Sequence, residues 1–442
     1  MSSTPAWTSE GPMSAPIILT LAFVLFLILG VPVAVSIGLA AVAGMIVAGI
    51  PLSYVVQAAY SAVNDFLIIA VPMFVLAGVL MEKGGLTQRL IAFSRTLVGR
   101  SPGGLASVTI VACTFFAAIS GSGPATAAAI GSIMIPTMIK EGYHKSFAAA
   151  ITSNAGGIGV VIPPSIPMII YGITAEVSIT GLFIAGVIPG LMLAVALTAV
   201  SRYISTKRGY AVANPEGRSL KRIGAAAWEA RWALLAPIII LGGIYTGIFT
   251  VTEASIVAVL YALFVGIFIY RTITLPGFID SMSYAVRLTG VVLFVLVSGR
   301  LLGRVLTIFQ VPQEFSAFMI ATFDNPVVLV LLIIALLIFV GMWMETLTQL
   351  IILTPLLLPV AVSAGIDPIQ FGIMFVIACE IGYSTPPLGV NLFVASEISN
   401  ETVERVSKAA LPLIAAEIVV LLLVTFIPQL SLFLPRLMGL VQ

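Results

Sequence analysis

The chain is poor in almost everything a water-soluble enzyme works with. Of its 442 residues 9% are charged and one is a histidine, whereas roughly a quarter of an ordinary soluble domain is charged. Its two cysteines, Cys113 and Cys379, each stand alone in an apolar stretch. They offer neither a disulfide framework nor a metal-ligand spacing and read as small core residues. His144 sits beside Lys145 at a predicted helix end and reads as a solvated boundary residue. A Ser-His-Asp site, a transition-metal site and a redox site therefore all lack their parts, and neither an enzyme nor a cofactor is expected. A net charge of +2 gives no reason to expect a nucleic-acid partner.

What is present is apolar length. Hydrophobic residues make up 60% of the chain, in runs of about 17 to 25 that match a hydrocarbon core about 30 Å thick crossed as helix. Lipid cannot satisfy stray backbone groups and no strand alternation is visible, so an all-α polytopic membrane protein is expected. The first apolar run, 16–48, is too long for a cleaved signal peptide. Its leader "MSSTPAWTSEGP" carries no Lys or Arg, so the run reads as structural. Full spans are expected at 13–30, 32–50, 58–82, 144–175, 181–200, 232–249, 252–270, 284–305, 368–396 and 408–428. Two further stretches, 103–139 and 326–363, are interrupted about halfway by "SGSGPAT" and "METLTQ" and read as re-entrant hairpins.

Charge sets the sidedness, since Lys and Arg favour short cytoplasmic loops. With the hairpins as drawn, Lys83, Arg89, Arg95, Arg100, Lys140 and Lys145 fall on one side. The segment 201–231, with Arg202, Lys207, Arg208, Arg218, Lys221, Arg222 and Arg231, joins them, as do Arg271, Arg405 and Lys408. That face reads as cytoplasmic and both termini as periplasmic. Two ordinary crossings at 103–139 would give the same sidedness, so charge alone does not distinguish a hairpin from a pair of spans.

A constant shift along the chain carries Pro136 onto Pro359, Gly142 onto Gly365, Ile158-Gly159 onto Ile381-Gly382, and Pro163-Pro164 onto Pro386-Pro387. The chain thus reads as two inverted repeats, 13–200 and 232–442, joined by the basic linker 201–231 and preceded by a tail, 1–12. Each repeat holds a hairpin (103–139; 326–363) and a broken helix (144–175; 368–396), a plan recurrent among secondary transporters. A helix ending at Ala155-Gly156-Gly157 and restarting at Pro163 would expose carbonyls at one end and amides at the other. Such interrupted backbone is tolerated at membrane depth only where protein or a wet cavity satisfies it.

Candidate ligands follow from position. The first repeat offers Ser120, Gly121, Ser122, Gly123 and Thr126 at the tip and Ser153, Asn154, Gly156, Gly157 and Ser165 in the broken span. The second offers Glu345, Thr346 and Thr348 at the tip and Gly382, Tyr383, Ser384, Thr385 and Asn391 in the span. All are oxygen donors or bare backbone, a set suited to sodium rather than a transition metal. Small residues and Ser or Thr also recur wherever membrane helices pack closely; it is the tip-plus-break pairing, repeated in register, that points to binding. Intramembrane ionisable residues are functional suspects: Asp65, Glu380, Arg300 and Arg304. Arg300 and Arg304, four apart on one helix face, suit a substrate carboxylate, a structural pairing with Asp65, or snorkelling to the surface. Glu380 could tune cation affinity or carry a proton.

The hairpin return "SGSGPATAAAIGSIMIP", the broken span "ITSNAGGIGVVIPPSIPMIIYG" and the late block "TPLLLPVAVSAGIDPIQFGIMFVIACEIGYSTPPLGVNLFV" resemble the large membrane subunit of TRAP transporters, the tripartite ATP-independent periplasmic carriers. The resemblance runs over nearly the whole chain. It implies an elevator-type carrier, a mobile transport domain of hairpins and broken helices moving against a scaffold. It further implies sodium-driven import of an organic anion such as a C4-dicarboxylate or sialic acid, delivered by a periplasmic binding protein. A separate small four-helix membrane subunit and the bacterial inner membrane complete the expected setting. By position, one sodium site falls between 120–126 and 154–160, with Ser120, Ser122, Gly123, Ser153, Asn154, Gly156 and Gly157. Another falls between 345–348 and 382–385, with Thr346, Thr348, Gly382, Tyr383, Ser384 and Thr385. Ser165, Arg300, Arg304 and Asn391 are the substrate-binding candidates. The rivals are a single-component sodium- or proton-coupled symporter or exporter and, from another class, a channel or membrane-embedded enzyme.

Overall fold

The structure, a computed structural model, describes residues 14–64, 66–99, 103–210, 219–323, 325–387 and 389–440. The tail 1–12, Asp65, Arg100 and Arg218 lie outside them. Helix is the only regular structure among these residues, as backbone self-satisfaction in lipid requires.

The chain opens with α1 (Ser14–Ile28), α2 (Val33–Val47) and α3 (Ser53–Val63), then a 3₁₀ turn (Phe66–Ile69) leading into α4 (Ala70–Lys83) and α5 (Leu86–Val98). The single span expected at 58–82 is therefore divided near residue 64. The first hairpin is α6 (Gly104–Ser120) and α7 (Gly123–Lys140), and the first broken span is α8 (Lys145–Val161) and α9 (Ile166–Ala175), bent by 43°. After α10 (Ile179–Lys207) come α11 (Leu220–Glu229) and α12 (Arg231–Tyr245). Next are α13 (Val251–Phe264), ending in a π-helical turn (Val265–Ile269), the long α14 (Leu275–Ile308) and α15 (Val311–Thr322). The second hairpin is α16 (Pro326–Gly341) and α17 (Thr346–Ser363), and the second broken span is α18 (Pro368–Tyr383) and α19 (Val390–Ser399). The chain closes with α20 (Val403–Phe426) and α21 (Gln429–Leu437). Hairpin followed by broken span thus occurs twice, in the same chain order.

Two details depart from expectation. α8 does not end at Ala155-Gly156-Gly157; it runs on to Val161, so the carbonyls of Gly156 and Gly157 keep helical partners instead of being released. Nor does Pro163 open the next helix. Pro163 and Pro164 lie within the break, Ser165 is the N-cap, and Pro167 fills the first turn. In the second copy the restart at Val390 follows Gly389, whose φ of +38° falls where glycine is tolerated best. Both Pro-Pro bonds are cis.

Among the described residues six helices are individually long and apolar enough to cross a membrane, or eight if each bent pair counts once. α1 and α2, at 15 residues, are only about 22 Å long. The hairpin arms α6 and α7, at 17 and 18 residues, reach about 26 Å, longer than half a bilayer.

The broken spans are the most deeply buried part of the chain: every residue of α8 after Lys145 is buried. Tyr171 on α9 packs edge-on against Phe371 and Phe375 of α18 and donates its hydroxyl to the Pro368 carbonyl at 2.7 Å. Gly372 makes room, since a Cβ there would stand 2.5 Å from the Tyr171 ring. The two broken spans therefore share one core. A second, smaller cluster joins Leu19, Ile37 and Met45 to Leu301 and Val305, tying α1 and α2 to the end of α14. α14 meets α17 through Gly299, where a Cβ would lie 1.7 Å from Ile351 Cγ2. Replacing Gly299 with Val should separate these helices and, as overpacking commonly does, cost about 1–3 kcal/mol. Thermal unfolding of the purified variant should show a lower midpoint; an unchanged midpoint would contradict this packing.

Candidate functional site

The first break is built by two missing donors. In an uninterrupted helix the carbonyls of Gly159 and Val160 would accept from residues 163 and 164, and both are prolines without N–H. Ser165 replaces one partner: its hydroxyl donates to the Val160 carbonyl at 2.5 Å and accepts from the Met168 amide at 3.3 Å. The hydroxyl of Ser165 is thus committed to stitching the break, which leaves it little capacity as a substrate ligand.

The hairpin tip meets this break directly, because the Ile166 amide donates to the Gly121 carbonyl at 3.2 Å. The tip closes on itself, with Ser120 and Thr126 hydroxyls 2.6 Å apart and Thr126 donating to the Ser122 carbonyl at 2.8 Å. Gly159 permits the approach: a Cβ there would lie 2.8 Å from the Ser122 oxygen. One turn earlier on α8, Asn154 donates to the Ala150 carbonyl at 2.8 Å. The Ser153 hydroxyl and the Asn154 side-chain oxygen are buried with no hydrogen-bond partner among the described residues.

The second copy uses different side chains for the same junction. The Thr346 amide at the tip donates to the Tyr383 hydroxyl at 2.8 Å. Glu345 caps α17, accepting from the Thr348 amide at 3.0 Å and the Thr348 hydroxyl at 3.3 Å. Thr385 donates to the Ile381 carbonyl at 2.6 Å. Gly382, the counterpart of Gly159, allows the hairpin turn to approach; its Cβ would lie 2.5 Å from the Gly341 carbonyl carbon. The hydroxyls of Thr346 and Ser384 are buried and unpartnered. Buried polar groups are nearly always hydrogen-bonded; these four orphaned oxygens, all among the expected sodium ligands and joined in the second copy by oxygens of Gln349, Glu380 and Asn391, are of the kind a small hard cation takes.

Glu380 joins the copies. It is buried (4% exposed), accepts from the Asn391 side-chain amide, and lies against the other repeat. A Cβ on Gly157 would stand 2.5 Å from its Cγ, and one on Gly123 would stand 3.1 Å from Oε1. Gly123 begins α7, so the carboxylate faces the positive end of a helix dipole. Gly156 and Gly157 thus provide clearance rather than carbonyl ligands: Gly156 admits Ala127 and the Gly123 carbonyl, Gly157 admits Glu380. Sequence spacing singled out both glycines and Glu380 but held no signal that they face each other.

The arginines stand elsewhere. Arg304 is exposed and donates to the Tyr54 hydroxyl at 2.5 Å on α3, which satisfies it away from both breaks. Arg300 is half-buried one turn before, next to the α14–α17 contact. Of the substrate candidates Ser165 and Asn391 lie in the broken spans, and of these Asn391 keeps its side-chain oxygen unpartnered.

The sequence model of the family described as "Tripartite ATP-independent periplasmic transporter, DctM component" matches residues 20–430. The chain is 45% identical over 412 residues to the isethionate TRAP transporter permease protein DctMQ of Oleidesulfovibrio alaskensis, covering 93% of this chain and 65% of that longer protein. It is 39% identical to the sialic acid TRAP transporter large permease protein SiaM of Vibrio cholerae, over 92% of this chain and 95% of that one. To the C4-dicarboxylate TRAP transporter large permease protein DctM of Pseudomonas aeruginosa it is 42% identical, over 85% and 88%. In fold it is similar to the Alcanivorax borkumensis YdaH transporter, with a TM-score of 0.64 at 16% identity, over 94% of this chain and 100% of that one.

The glycine clearances can be tested directly. Gly157→Ala should lower the thermal midpoint, whereas Gly290→Ala, where nothing lies within 4 Å, should hold or raise it through reduced backbone freedom in the unfolded chain. Equal effects from the two substitutions would remove the Glu380 contact.

Proposed function

The chain belongs to the DctM-component family of tripartite ATP-independent periplasmic transporters, as its large permease, a multi-pass membrane protein, and on that premise we propose that it couples inward sodium flow to uptake of an organic anion. The observation that carries this reading is the doubled junction of hairpin tip and helix break, each with two buried oxygens that no hydrogen bond satisfies. Sodium is the fitting ion because the donors are neutral hydroxyl and amide oxygens with two carboxylates close by in the second copy. The anion is of the class named for the relatives: isethionate, sialic acid or a C4-dicarboxylate. A periplasmic binding protein delivers it and a small four-helix membrane subunit completes the carrier. The setting is the bacterial inner membrane, with both termini periplasmic and the two repeats inverted.

In mechanism, Ser153 and Asn154 on one side and Thr346 and Ser384 on the other draw the tips onto their breaks when the ion is bound. That ordering completes the anion site near Asn391, so the fully loaded unit moves more readily than a half-loaded one. The moving unit comprises the hairpins and broken spans, which share one core. The frame includes α1, α2 and the end of α14, held together by their own cluster. In this elevator reading, alternating access is a rigid displacement of one body against the other.

The test is uptake into proteoliposomes holding the complete three-part system. An inward sodium gradient should drive accumulation and an equal potassium gradient should not; uptake without sodium would overturn the coupling. Uptake by the purified chain alone would return the single-component alternative. Ser153→Ala and Ser384→Ala sharpen the assignment. Removing an unpaired buried hydroxyl should leave thermal stability unchanged or higher, while the sodium concentration for half-maximal uptake rises about tenfold, the factor for loss of one ligand worth about 1.4 kcal/mol.

A further inference from the structure

α11 has no buried residue, yet it carries Leu220 at 89% and Trp228 at 69% exposure. Its ten residues amount to about 15 Å of helix, half the thickness needed to cross a bilayer. It joins α12 through the single residue Ala230 with a 71° bend, so where α12 crosses the membrane α11 lies close to the membrane plane. Ile223, Ala226 and Ala227, the half-buried residues, share one side of the helix. Lys221, Gly224 and Trp228 point away from that side, by the helical period. At the bend, Arg231 places its guanidinium 4.5 Å from the Trp228 ring and 5.5 Å from the Trp232 ring, and donates to the Trp228 carbonyl at 2.6 Å.

An apolar stripe with an indole and a basic flank, on a short helix turned into the membrane plane, has the make-up of an interfacial helix. Indole rings favour the headgroup level, and basic residues there attract anionic headgroups. We propose that α11 is a lipid-binding arm that docks on anionic phospholipid headgroups, seating Trp228 among the upper acyl carbons with Lys221 against phosphate. The pairing of Arg231 with Trp228 fixes the indole's direction at the bend, so the arm enters the interface already oriented. Charge complementarity selects this occupant over a protein groove, because the outward face is a single indole and an aliphatic end beside Lys221 and Arg231, with one carboxylate, Glu229, at the bend, rather than a continuous apolar surface.

The experiment uses the full chain in nanodiscs. With Trp7, Trp232 and Trp343 replaced by Phe, Trp228 is the only indole, and its fluorescence is read with lipids brominated on the upper acyl carbons. Brominated phosphatidylglycerol should quench it more strongly than brominated phosphatidylcholine at equal bromine content. Lys221→Ala should remove that preference. On the chain with all four tryptophans, native mass spectrometry should show retained phosphatidylglycerol falling about fivefold for Lys221→Ala, the factor corresponding to roughly 1 kcal/mol per basic residue at the surface. Equal quenching by the two lipids, no quenching by either, or lipid retention indifferent to Lys221→Ala would overturn the assignment.

Discussion

The arrangement depends on one buried carboxylate. Removing Glu380 from water is costly unless its charge is met; Oε1 has one direct donor, while Oε2 is buried without a hydrogen-bond partner among the described residues. The Asn391 amide donates from the restart of the same broken span, while the first turn of α7 presents its amide end from the other repeat. Gly123 and Gly157 are bare at the points where this contact passes. Neither repeat alone could hold Glu380 this way, so the carboxylate adds a polar link between halves already joined by the Tyr171–Pro368 hydrogen bond and their common core.

Given that link, the glycines follow as geometry. Gly156 admits the first tip, Gly159 the Ser122 carbonyl, Gly382 the backbone of Gly341, and Gly372 the Tyr171 ring. Each lets backbone or a rigid ring approach within a distance that a methyl group would occupy. In a membrane, where no hydrophobic effect drives helix to helix, such close approach supplies the packing itself. Glycine in α8 has a cost in helix propensity, and the contacts made across it offset that cost.

Much of this was legible in the sequence and some was not, for identifiable reasons. The hairpins, the proline doublets and their repetition were visible because proline and glycine punctuate an otherwise apolar text. The exact end of α8 was misplaced, because Gly156-Gly157 looks like a helix stop when its real reason, a neighbour pressing from another repeat, lies far away in sequence. α5, α11, α15 and α21 were missed because amphipathic helices of 9 to 13 residues leave no long apolar run. The arginines misled for a related reason: an intramembrane charge signals that a partner exists, and only the fold shows that for Arg304 the partner is Tyr54.

The repeats are similar in backbone and unlike in charge, and that asymmetry bears on the proposed coupling. The first junction is closed by neutral groups, with Ser120 and Thr126 satisfying each other and only Ser153 and Asn154 left over. The second contains Glu345 at the tip and Glu380 before the break. Glu380 also reaches across to Gly123 and Gly157 at the first junction, so a cation bound at either junction would meet a carboxylate contributed by the second repeat. In a region of low dielectric such charges act strongly over several ångströms, so a carboxylate left without its cation would repel a nearby organic anion. Removal of that repulsion adds to the proposed ordering of the tips, and the unequal distribution of carboxylates between two otherwise matched halves lets one repeat supply the charge at both junctions.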